Sequence, residues 1–148
     1  MSMRSIFGDL ILYLAGRVIL SEFQGSGIGS SALQIALQET NPKYVCTVTR
    51  NPNVLAMISR AVSVDAHSVY PLSEQGSLPI EQMADLAGVP HNCIPLHADR
   101  YPANGLLGEK PPDSRSAEIN SYFSSIPLST GVLIGCNNLT KGETGEYY

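Results

Sequence analysis

Apolar residues crowd the first part of the chain almost without a break, and beyond the glycines near residue 27 they return at helical spacing. The run over 10–20 predicts a strand covered on both faces, since a strand between two layers has no polar side to show. Gly16 within it signals a bulge or a close backbone approach. Leu33, Ala36 and Leu37 then share one helical face over about 29–40, and Asn41-Pro42 stops that helix. Over 44–50, Val45, Thr47 and Thr49 alternate with Tyr44, Cys46 and Val48, the two-residue period of a strand. Strand, helix and strand in this order predict a parallel, right-handed unit.

Asn51-Pro52 opens a second helix, with Asn as its cap and Pro in its first turn. Val54, Leu55, Ile58, Ala61 and Val62 give that helix a core face. A short apolar piece ends at Val69-Tyr70-Pro71, and a third helix fits 79–87, closed by Gly88. Residues 89–113 carry five prolines and little periodicity, which predicts a long loop. A helix over 114–125 would turn Ile119, Tyr122 and Phe123 inward, and 131–136 is the last strand. Residues 138–148 form a polar, acidic tail. The fold class is therefore α/β with a mixed sheet, in a single domain over 1–148 whose core includes 10–62.

At 148 residues the chain is long enough to bury a real core, and 43% hydrophobic residues against 15% charged ones favour folding. The formal charge of −4 and the scatter of Lys and Arg argue against nucleic-acid binding. The apolar stretch 6–20 is interrupted by Asp9 and Arg17 and falls short of the ~20 residues that span a bilayer. No membrane role or targeting signal is expected, so the cytoplasm is the expected location. Cys46, Cys93 and Cys136 are odd in number and far apart, which suits free thiols in a reducing compartment.

The chemistry centres on Gly25, Gly27 and Gly29, between the first strand and the first helix. Alternating glycines let backbone approach a ligand, and the helix behind them turns N–H groups and a positive dipole end toward the turn. Together these make an anion site, most often for phosphate or pyrophosphate. A tight turn with no ligand is the plain alternative. A P-loop needs Lys after the last Gly, and Ser30-Ser31 stand there instead. A dinucleotide fingerprint needs Gly or Ala at position 30, and an acid rather than Arg50 after the second strand. Arg50 would still suit a 2′-phosphate, which keeps an NADP protein in view. The G-x-G-x-G of S-adenosylmethionine-dependent methyltransferases also matches, but Phe23 and Thr49-Arg50 stand where that family keeps carboxylates.

Gln24-Gly25-Ser26-Gly27-Ile28-Gly29 resembles the Q/R-x-x-G-x-G/A motif of the GNAT superfamily of acyl-CoA-dependent N-acetyltransferases. The flanks 18–23 and 30–33 agree, as does the next strand followed by Asn51-Pro-Asn-Val-Leu-Ala. The resemblance covers about 10–62, with weaker likeness at 69–71 and 131–135. It implies that N–H groups from Gly25, Ser26, Gly27, Ile28, Gly29 and Ser30, beside Gln24, hold the pyrophosphate of acetyl-CoA. It also implies that Val18, Ile19 and Leu20 pair with the pantetheine arm, and that Asn51 or Asn53 meets that arm from the opposite side. A backbone N–H there would polarise the thioester carbonyl. The partner implied is a small-molecule or peptide amine, which attacks the thioester directly.

The sequence departs from the family in two ways. Arg60 stands where the family usually has its thiolate-protonating Tyr, with Tyr70 the nearest later phenol. Only about nine residues precede the motif strand, so the resemblance implies a domain lacking its N-terminal part. The motif strand would then be an exposed apolar edge, which homo-oligomerisation would cover. An inactive acyl-CoA-binding remnant and a methyltransferase are the alternatives. A GNAT sheet splays between the first and second of these strands, whereas a methyltransferase sheet stays paired there.

Other polar residues have plainer readings. Glu22 beside the turn is a general base through water or a surface carboxylate. His91, Cys93 and His97 have no fourth ligand, so no metal site is expected. His67 is an ordinary histidine, and Cys46 and Cys136 read as packing residues.

Overall fold

The computed structural model describes residues 2–6, 9–14, 28–74, 76–105, 108 and 110–141. The strands are β1 (Ser2–Ile6), β2 (Asp9–Tyr13), β3 (Tyr44–Thr49), β4 (Leu96–His97) and β5 (Gly131–Asn137). The helices are α1 (Ile28–Thr40), α2 (Pro52–Ala61), α3 (Ile80–Ala87) and α4 (Ala117–Ser124). The sheet order is β1-β2-β3-β5-β4, with β2 and β3 parallel and every other neighbouring pair antiparallel. This is an α+β chain with a mixed sheet, as the alternation and helical spacing predicted.

Strand alternation sorts the core into two layers. Leu12, Leu14, Val45, Val132, Ile134 and Cys136 face one side, where α1, α2 and α4 cover them with Leu33, Leu37, Val54, Leu55, Ile58, Ile119 and Phe123. Ile11, Tyr44, Cys46, Val48 and Leu133 face the other side, against Met83, Ala84 and Ala87 of α3. All six residues of β3 are buried, so this strand is the middle of the molecule. The helix signals act as read. Asn51 caps α2 with Pro52 behind it, Gly88 closes α3 in the left-handed region at φ 71°, and the Ser116 hydroxyl caps α4 by accepting the Ile119 N–H.

Two expectations need correction. The predicted 10–20 strand begins at Asp9 and its strand pairing ends at Tyr13; Gly16 and the rest of 15–20 lie outside the described residues. Nor is that strand an open edge. β1 folds against it in five antiparallel pairs, Ser2↔Tyr13 through Ile6↔Asp9, so the edge belongs to β1 instead. The 89–113 stretch is mostly irregular, as its prolines require, but it includes a turn of 3-10 helix at His91–Cys93 and the two residues of β4.

Candidate functional site at the carboxyl ends of the parallel strands

β2 and β3 run the same way, so their carboxyl ends share one end of the sheet. The first turns of α1 and α2 follow those ends, which is where open sheets with parallel strands take ligands. Ile28, Gly29 and Ser30 form the first turn of α1. Val18, Ile19, Leu20, Gln24, Gly25, Ser26 and Gly27 lie outside the described residues, as does Glu22.

The start of α2 is fully described. The Asn51 side-chain oxygen accepts the Asn53 N–H at 3.0 Å, and the Asn51 N–H donates to the Thr49 hydroxyl at 3.0 Å. Asn51 is buried in this role. Asn53 is half-buried, and its amide donates to the Pro112 carbonyl at 2.8 Å. The segment holding Pro112 is tied to α4 in turn. Asn120 donates to the Ser114 carbonyl, and the Ser114 hydroxyl donates to the Asn120 side-chain oxygen, both at 2.8 Å. A proline-rich strap thus crosses from α4 to the first turn of α2.

Among the described residues the seam between β2 and β3 is short. Its register is Ile11↔Tyr44, Leu12↔Val45 and Tyr13↔Cys46, with one further rung from the Leu14 N–H to the Cys46 carbonyl at 3.0 Å. The Leu14 carbonyl accepts the buried Thr47 hydroxyl. Successive residues of β3 bond to opposite neighbours, so Cys46 and Val48 turn their carbonyls toward β2. The Val48 carbonyl accepts the Tyr101 hydroxyl at 3.4 Å. Tyr101 is held through its own N–H, which donates to the Ser129 carbonyl at 2.9 Å. Burial raises the Tyr101 pKa and nearby Tyr13 adds to this, while Arg100 pulls the other way. The phenol therefore stays protonated and able to donate.

Arg50 ties the end of β3 to the end of α4. Its Nε and Nη2 donate to the Ile126 carbonyl at 2.9 and 2.7 Å, and its guanidinium lies 5.6 Å from the Phe123 ring centre. It is only 8% exposed, and burial lowers its pKa. Two of its three nitrogens are thus engaged at the end of α4.

The remaining candidates lie apart from this end. Arg60 is exposed in the last turn of α2. Tyr70 pairs through its backbone with Gly135, and burial raises its pKa. His91 stands between Asp85 and Glu81 of α3, with ring nitrogens 2.8 and 3.2 Å from their carboxylates. His97 meets Arg100 at 3.2 Å, and exposed His67 lies 3.9 Å from Asp65. Among the described residues no group of three or more His, Cys, Asp or Glu is arranged to hold a metal ion. Cys46 and Cys136 are buried thiols, as expected, and burial pushes Cys136 up to about 12. A cavity lined by Ser63, Asp65, Ser68 and Asn137 opens at the opposite end of the sheet, past the end of α2.

Sequence reasoning singled out Asn51 and Asn53 at this end of the sheet and did not single out Tyr101. That residue sits between Arg100 and Pro102 in the stretch without periodicity, where no local signal marks a partner on β3. No helix of the described residues is long and apolar enough to cross a membrane. Comparison with protein-family models, curated proteins and solved structures returned no match.

Proposed function

We propose that the chain binds acyl-CoA and acts as a GNAT-like N-acetyltransferase, moving an acetyl group from acetyl-CoA to an amine. The observation that carries this reading is the parallel β2–α1–β3 unit. Gly29 and Ser30 open its helix, and the capped start of α2 follows β3 at the same end of the sheet. In this reading the N–H groups of Gly25 to Ser30, with Gln24, hold the pyrophosphate. The pantetheine arm runs along Val18 to Leu20 and passes Asn51 and Asn53. The amine attacks the thioester carbon, the carbon–sulfur bond breaks, and the amine's proton leaves as the thiolate gains one. Three free thiols suit a cytoplasmic setting.

A second reading has one observation in its favour. Arg60, at the position where the resemblance implies a proton donor, is exposed at the far end of α2. A chain that binds acyl-CoA without transferring the acyl group fits that placement.

Calorimetric titration with acetyl-CoA, beside S-adenosylmethionine and NADPH, tests the proposal. Micromolar binding of acetyl-CoA alone is expected, weakened at least tenfold by Gly27→Ala or Gly29→Ala through crowding of the pyrophosphate. Binding of S-adenosylmethionine alone would move the chain to the methyltransferases. No binding by folded protein would overturn the ligand class altogether.

A further inference from the structure

We draw no further inference here: the strongest candidate, the cavity past the end of α2 lined by Ser63, Asp65, Ser68 and Asn137, carries nothing because its carboxylate, Asp65, is 80% exposed and nothing in the structure shows what covers it.

Discussion

Strand β3 has a neighbour on each side, and the two seams are built differently. Toward β5 it makes six antiparallel pairs, Tyr44↔Asn137 through Thr49↔Val132, with both faces packed under helices. Toward β2 the described residues make three parallel pairs and one further rung, with two hydroxyls beside them, Thr47 on Leu14 and Tyr101 on Val48. Among the described residues both seams satisfy backbone carbonyls, one by strand pairing alone and the other partly by side-chain hydroxyls. A backbone ladder opens cooperatively, whereas a hydroxyl rotates about one bond. The first seam thus rests on a continuous backbone ladder, whereas the described part of the second leans on two side-chain hydroxyls.

The largest effect is expected in the β5 seam, at Gly131. A Cβ added there would lie 2.5 Å from Val48 Cγ1 and 3.0 Å from Arg100 Cγ. Val48 is buried and stiff at χ1, so backbone rather than side chain has to move. Gly131→Ala should cost about 1–3 kcal/mol of unfolding free energy in urea titrations. Gly135→Ala makes an equally short contact, 2.5 Å to Met83 Sδ, but a thioether on a flexible stem can swing aside. It should cost about half as much; the reverse order would mean that Met83, not the strand pairing, sets the tolerance of this seam.

Thr47→Val probes the other seam with a nearly isosteric change. It leaves the Leu14 carbonyl without its hydroxyl donor in a fully buried place, at a cost of about 1 kcal/mol. The distribution of that loss is more telling than its size. Hydrogen exchange at the Leu14 amide, whose bond to Cys46 is the last rung among the described residues, should quicken, while the Ile134 amide of β5 keeps its protection. Equal acceleration at both would mean that the two seams open as one unit.

What the sequence disclosed follows the same division between local and distant causes. Asn51-Pro52, Gly88 and the alternation of 44–49 act within a few residues of themselves, and each appears where it was read. The ends of the sheet were not legible. β1 is five residues, Ser-Met-Arg-Ser-Ile, and β4 is two, too short for a period to show. Arg50 looked available for a phosphate because its partners, the carbonyls at 126 and 127, stand 76 and 77 residues away. Tyr101 was invisible for the same reason, with its partner Val48 lying 53 residues earlier in the chain. The site was half legible. Its capping asparagines carry a helix-start signal, whereas a hydroxyl that completes a strand edge carries none.

His91 gives the smallest effect and a control outside both seams. Its ring lies between Asp85 and Glu81 on the rim of α3, and the hydrogen bond with Asp85, helped by both negative charges, raises its pKa above the usual 6.5. Below pH 6.5 the imidazolium exists in folded and unfolded chains alike, and the folded chain keeps the full benefit of the two carboxylates. As pH rises through the elevated folded value that benefit disappears, so stability from this cluster is lost toward alkaline pH. The group is solvent-exposed, which keeps the effect small. Wild type should therefore melt about 1 °C above His91→Gln near pH 5.5, with the gap closing by about pH 8.5. A gap that widened with pH would mean that His91 acts through packing against α3 rather than through its charge.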